Sequence, residues 1–167
     1  MIHLLQFRVS DYPRLISWID SPELLLQFAG PAFTYPLTAE QLECSCQDIN
    51  RHCYKAVFAE TTKVVGHGEI YLKGTTAWLG RILIGEKALQ HQGLGQQLVR
   101  ALLTLCFDKF GCDLVKLNVF EKNTAAIRCY QACGFTINPE GAFERPYGNT
   151  VWKGVQMHVT RQDLPSS

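Results

Sequence analysis

The stretch Gln90-His91-Gln92-Gly93-Leu94-Gly95 (QHQGLG) decides the fold. It follows a strand-like run, Ala77 to Ile84 (AWLGRILI), and opens a helix-like run, Leu94 to Phe110 (LGQQLVRALLTLCFDKF). A strand, a glycine-rich turn and a helix N-terminus together make an anion site. Unpaired N–H groups point outward there, and the helix dipole adds roughly half a positive charge. Glycines let that backbone approach a bulky phosphate with no Cβ in the way. The stretch therefore predicts a phosphorylated ligand gripped mainly by main chain; the bland alternative is two glycines that only shape a tight turn. The dinucleotide fingerprint G-x-G-x-x-G is not met, because Leu98 stands three residues after Gly95. No glycine is followed by Lys and then Ser or Thr, as a nucleotide phosphate loop requires.

The rest of the composition narrows the class. A chain of 167 residues fits a single domain (1–167) with a substantial core. Hydrophobic residues at 47% against 19% charged give a globular balance, not a disordered one. A net charge of +1 with no basic run argues against nucleic acid as a partner. No apolar segment approaches the roughly 18 residues that cross a membrane, and the N-terminus MIHLLQFRVSDYPRL has no charged region ahead of an apolar one. Seven cysteines, none in C-x-x-C spacing, predict reduced and mostly buried thiols in a cytoplasmic protein, and no metal site.

Outward from the opening stretch, the periodicity changes twice. Ile2 to Arg8 reads as a strand, Ser10 as the cap of a helix through Ile19, and Ser21-Pro22-Glu23 as a second helix start. Ala29 to Leu37, with two prolines and a glycine, reads as a loop. Thr38 with Gln41 fits a capping box for a helix to about Arg51. Tyr54 to Glu60 and Val64 to Leu72 are strand-like and lead into the strand before QHQGLG. After the glycine-rich helix come a strand at Leu114 to Phe120, a helix at Asn123 to Ala132 closed by Gly134, and a last strand at Val151 to Thr160. This order predicts an α+β domain with a mixed, mainly antiparallel sheet.

The chain resembles the GCN5-related N-acetyltransferases (the GNAT superfamily). QHQGLG matches that family's acetyl-coenzyme A signature, Gln or Arg, two residues, Gly, one residue, then Gly or Ala. A second match lies downstream, where Asn123, Ala126, Tyr130, Gly134 and Phe135 fit the family's N-x-x-A-x-x-x-Y-x-x-x-G-F. The N-terminal third, including Ser21-Pro22-Glu23 and Tyr35-Pro36-Leu37-Thr38, is similar to the branch of ribosomal-protein N-terminal acetyltransferases. The chain departs from the family in having Ile84-Gly85-Glu86-Lys87 where Val-x-Pro often stands, and His91 where Gly often follows.

The resemblance implies acetyl-CoA as donor and a fold in which two parallel strands splay to admit it. It implies a cofactor set of Ile82, Ile84, Gln90, His91, Gln92, Gly93, Leu94, Gly95, Gln96, Asn118, Asn123, Ala126 and Tyr130. Amides from Gln92 to Gln96 would hold the pyrophosphate, and the main chain of Ile82 and Ile84 would pair with the pantetheine arm. Tyr130 matches the tyrosine that protonates the leaving thiolate, a task suited to a phenol. Some relatives carry a glutamate base where this chain has Asn118, which takes no proton. Glu69, an acid inside a central strand, is the expected substitute, with Glu86, Glu121 and His67 behind it. The expected activity is direct transfer of acetyl to a primary amine, on a protein N-terminus or a small molecule, by a monomer or homodimer. The alternative is a non-catalytic acyl-CoA-binding or sensing domain. Acceptor selection is expected from Phe28 to Leu37, a loop beside the cofactor site.

Overall fold

Runs rich in Val, Ile, Leu and Tyr assemble one seven-stranded sheet in the computed structural model, which describes residues 1–166. The strands are β1 (Ile2–Gln6), β2 (Arg51–Phe58), β3 (Val64–Lys73), β4 (Thr76–Ile84), β5 (Leu114–Phe120), β6 (Thr136–Tyr147) and β7 (Thr150–Thr160). They lie in the order β1-β2-β3-β4-β5-β7-β6, antiparallel throughout except for β4 against β5. Five helices flank the sheet: α1 (Tyr12–Trp18), α2 (Pro22–Ala29), α3 (Ala39–Cys46), α4 (Leu94–Thr104) and α5 (Thr124–Ala132). This is the mixed, mainly antiparallel α+β architecture expected from the order of elements.

Local chemistry accounts for most boundaries. Ser21 Oγ accepts from Leu24 N at 3.1 Å and Pro22 fills the first turn of α2, while Thr38 Oγ1 accepts from Gln41 N at the start of α3. Ser10 does not cap the first helix; it lies in a 3-10 turn over Val9–Asp11 that precedes it, where Asp11 Oδ2 accepts from Arg8 N at 2.9 Å. Helix α3 stops at Cys46 rather than near Arg51, because Arg51 is already the first residue of β2. Helix α4 widens after Thr104 into a π turn, closed by Phe110 N donating to Leu105 O at 3.0 Å. Strand β6 was not visible in the sequence, where Pro139, Gly141 and Pro146 interrupt any alternation. It pairs only with β7 as an edge strand, where prolines are tolerated.

Two features of β4 position the site. Its parallel pairing with β5 runs from Thr76↔Leu114 to Leu79↔Leu117 and then ends, so the strands part beyond Gly80 and Asn118. Its register against β3 also slips: Glu69 faces Gly80 while His67 faces Leu83, which places one extra residue on β4. That bulge contains Arg81, held at φ +50°. Before the bulge, Ala77 and Leu79 face the α4 side with Val115 and Leu117. After it, Ile82 and Ile84 pack on that same core, although regular alternation would have chosen Arg81 and Leu83.

The sheet therefore has an apolar layer on each side. Leu98, Val99, Leu102 and Leu103 of α4 cover one face, and Leu15, Leu25, Phe28 and Leu42 from α1 to α3 cover the other. Close approach is demanded at Gly85, just past β4, where a Cβ would fall inside the Trp18 indole. Gly85→Ala should cost about 1–3 kcal/mol by overpacking, a melting temperature lower by roughly 2–10 °C in calorimetry. Gly80→Ala, whose Cβ would meet open space, serves as the control and should stay within about 2 °C of the parent.

Candidate functional site

The parting of β4 and β5 opens a cleft of about 500 Å³ between the end of β4, the N-terminus of α4 and helix α5. Gly93, at φ +79°, is the N-cap of α4, and no side chain caps it. The first intrahelical bond found there is Gln97 N to Gly93 O, so the amides of Leu94, Gly95 and Gln96 precede the helix's own ladder. Gly93 and Gly95 face the cleft without side chains, and the helix dipole points its positive end there. On the opposite wall, Gly85 N donates to Val65 O at 2.9 Å. Antiparallel alternation then turns the main chain of Leu83 and Gly85 toward β3, and that of Ile82 and Ile84 toward the gap. Gln90 Nε2 already donates to Ile84 O at 2.9 Å, which ties the loop to the strand it follows.

Ten of the expected cofactor residues line this cleft: Ile82, Ile84, Gln90, His91, Gly93, Gly95, Gln96, Asn123, Ala126 and Tyr130. Leu94 turns its side chain into the core at 6% exposure, and the Gln92 amide caps Ala88 O at 2.8 Å, so neither side chain reaches the cleft. Only their main chain remains available. Asn118 does not reach it either. On β5, Val115, Leu117 and Val119 face α4, so Asn118 projects from the other face of the sheet. Val99, Arg128 and Cys129 also line the cleft and were not anticipated. Val99 lies one helical turn from Gln96, a spacing that would have found it.

Asn123 caps α5, its Oδ1 accepting from Ala126 N at 3.3 Å. One helix face on, Tyr130 packs edge-on against Phe135 with ring centroids 5.9 Å apart. Among the described residues its hydroxyl has no hydrogen-bond partner. Burial raises its pKa, with the neighbouring Cys129 and Cys133 thiols adding to the effect, so the phenol keeps its proton at neutral pH. It is a protonated phenol in the lining of the cleft.

Glu69 is placed for a different task. Its carboxylate is 2% exposed and fully engaged: Oε1 meets His67 Nε2 at 3.0 Å, and Oε2 accepts from Arg51 Nη1 at 2.9 Å and Arg81 Nη1 at 3.0 Å. Burial alone would raise its pKa, but the His67 hydrogen bond and the Arg81 and Arg51 charges outweigh it and hold the group at about 2. A carboxylate that acidic and that enclosed is a poor acceptor of an ammonium proton. Arg81 also donates to Ser45 Oγ at 2.6 Å and lies under the Phe33 ring, 4.3 Å from its centroid. His67, the fallback base, is 1% exposed, and among the described residues its Nδ1 has no partner.

A second cavity, of about 300 Å³, meets β4 at Gly80 and Arg81, directly before the residues that line the cleft. Its walls come from Gln27 to Ala32 at the end of α2, from Asn118 to Phe120 of β5, and from Phe143 and Arg145 of β6. The two cavities thus approach the splayed strands from different sides. Among the described residues no cluster of His, Cys, Asp and Glu could hold a metal ion, and no helix is long and apolar enough to cross a membrane.

The model of the acetyltransferase (GNAT) family matches residues 18–135 of the chain. A spermine/spermidine N(1)-acetyltransferase of Bacillus subtilis (strain 168) is 38% identical over 68 residues, which is 41% of this chain and 44% of the relative. The chain thus matches less than half the length of that relative. Among solved structures, the spermidine N-acetyltransferase of Vibrio cholerae in complex with CoA and spermine superposes with a TM-score of 0.80 at 16% identity, covering 97% of this chain and 96% of that one. An aminoglycoside acetyltransferase in complex with coenzyme A and kanamycin gives 0.76 at 20% identity, over 98% and 96%. At such identities the structures speak for the fold alone. The affinity to ribosomal-protein N-terminal acetyltransferases rests on the sequence resemblance and is not repeated in these matches.

The Glu69 cluster makes a prediction about acid stability. Its folded pKa of about 2 lies below the ordinary 4.5, so its stabilisation is complete above about pH 4.5 and is lost as the pH falls toward 2. In urea unfolding from pH 6 to pH 2, the parent should lose roughly 3 kcal/mol more than Glu69→Gln does. At pH 7 that variant should already be destabilised by about 3–5 kcal/mol, because two arginines are left without their countercharge.

Proposed function

The chain belongs to the acetyltransferase (GNAT) family, and from that premise we propose that it transfers acetyl from acetyl-CoA to a primary amine of a small molecule. The observation that carries this reading is the cleft itself, where α4 amides, glycines and the outward main chain of Ile82 and Ile84 converge opposite a protonated Tyr130. Gly93 to Gln96 would hold the pyrophosphate, and Ile82 and Ile84 the amide-bearing arm. The donor supplies an activated acetyl thioester. In the transfer the acceptor nitrogen gains the acetyl group, the coenzyme sulfur loses it, and one proton passes in net from nitrogen to sulfur. Tyr130 delivers the proton to sulfur.

A direct transfer fits the thiols. Cys129 lies in the cleft, but the Cys133 thiol and burial push its pKa up, which removes the thiolate an acyl-enzyme would need. The further proton that an ammonium acceptor sheds before it attacks is not taken by Glu69, whose carboxylate is spent on His67, Arg51 and Arg81, so water carries that one to solvent. The cytoplasm is the compartment that suits seven free thiols. The second reading, an acyl-CoA sensor without turnover, draws on the same engaged carboxylate.

A thiol-release assay with acetyl-CoA and a panel of amines separates the two, since a sensor binds acetyl-CoA and releases no thiol. Tyr130→Phe should lower kcat about a hundredfold while the dissociation constant for acetyl-CoA stays within about threefold. An unchanged kcat would remove Tyr130 from the proton path. Gly95→Asp puts a negative charge at the α4 N-terminus and should weaken acetyl-CoA binding at least about tenfold in calorimetric titration.

A further inference from the structure

The second cavity has a charge that the polyamine and aminoglycoside acetyltransferases, by the cationic molecules in their names, would not lead one to expect. Among the described residues three arginines line it, Arg51, Arg81 and Arg145, and no Asp or Glu does. The one carboxylate in contact, Glu69, is buried behind Arg51 and Arg81 and offsets a single charge. The surplus is two positive charges, three guanidiniums less one carboxylate, in a pocket of about 300 Å³. A polyamine or aminoglycoside would bring more positive charge to a wall with nothing to neutralise it.

The arginines are also incompletely used. Arg81, buried to 9% exposure, bonds Glu69 and Ser45 through Nη1 alone, and Arg51 bonds Glu69 through Nη1 alone. Among the described residues neither Nη2 has a protein acceptor. Arg145, across the cavity on β6, spends Nη1 on the Glu144 carbonyl at 2.9 Å and lies over the Phe143 ring. Arg51 Nε is in addition buried without a partner among the described residues; guanidinium N–H groups without acceptors are costly when buried, and a carboxylate is the group whose geometry they match. Apart from Gln27 and Asn118, the remaining side chains of the wall are apolar, with Phe28, Trp78 and Phe143 among them.

We propose that this cavity is an acceptor site for a small amine that carries a carboxylate and an apolar body, the chemistry of an aromatic or aliphatic α-amino acid, and that Arg51, Arg81 and Arg145 select for the carboxylate. The proposal rests on the acetyltransfer reading for what happens next: the acceptor nitrogen gains acetyl and loses one proton, which in net ends on the coenzyme sulfur. The cationic walls serve the same step, because like charge lowers the pKa of a bound ammonium and supplies free amine without a carboxylate base.

The test compares phenylalanine with phenylalaninamide, which keeps shape and amine but lacks the carboxylate, alongside spermidine and a phenylalanine-initiated peptide amide. In the thiol-release assay the free acid should exceed the amide in kcat/KM by at least about tenfold, and spermidine should be the poorest. Arg145→Gln should bring the acid-to-amide ratio down at least about fivefold, with acetyl-CoA affinity unchanged. Better turnover of spermidine, the amide or the peptide overturns the proposal and leaves the acetyltransferase reading standing. Calorimetric titration of N-acetylphenylalanine and its amide into the coenzyme A complex judges the site without turnover. Preference for the acid, reduced in Arg145→Gln, supports the proposal even if no amine is acetylated; equal or no binding of both overturns it.

Discussion

One extra residue in β4 organises this molecule. The bulge at Arg81 reverses which face each later side chain of the strand takes, so the last turn of the sheet is out of step with its beginning. Three consequences follow from that single slip. β4 leaves β5 and opens the cleft, the main chain of Ile82 and Ile84 turns into it, and the Arg81 side chain moves to the face of α1 to α3. A non-glycine residue at positive φ is strained by about 1–3 kcal/mol and persists only where its surroundings hold it. Here the hold is the Glu69 cluster, which fixes the Arg81 guanidinium from one side while Ser45 and Phe33 fix it from the others.

That arrangement explains how the central sheet holds an acid whose carboxylate is fully engaged. Desolvating a carboxylate and two guanidiniums costs several kcal/mol per ion, and only close contacts from opposite charges offset it. Glu69 makes those contacts with both oxygens, and an oxygen so committed has no room for an incoming ammonium. The sequence marked Glu69 correctly as a residue whose burial needs a reason. The reason is structural, and it acts on the site at one remove through Arg81 and the bulge.

How much could be read without coordinates follows from where each part of the site is built. The donor half is local: a glycine pair at a helix start and a capped helix with a tyrosine occupy two short stretches, Gln90 to Gln96 and Asn123 to Tyr130, which the family resemblance pairs and the structure brings to one cleft. The acceptor half is assembled from α2, β2, β4, β5 and β6, so that Arg51 and Arg145 share a cavity although nearly a hundred positions separate them. No periodicity links such residues. Asn118 shows the same limit on a smaller scale, since alternation tells that Leu117 and Asn118 face opposite ways but not which face carries α4. β6 was invisible because an edge strand paired on one side tolerates the prolines that would break a central one.

The two halves together suggest how the proton problem is solved without a conventional base. At neutral pH an amine arrives as the cation, and a carboxylate near it would stabilise that unreactive form as readily as it would accept the proton. Arginines do the opposite: they raise the free energy of the ammonium while offering a carboxylate on the same molecule a strong counter-contact. An acceptor with both groups is then held by its acid and discharged at its amine. On this view the spent Glu69 is no defect of the site. By binding Arg51 and Arg81 with one oxygen it keeps two guanidiniums close together against their mutual repulsion, and so sustains the positive field that an anionic acceptor would use.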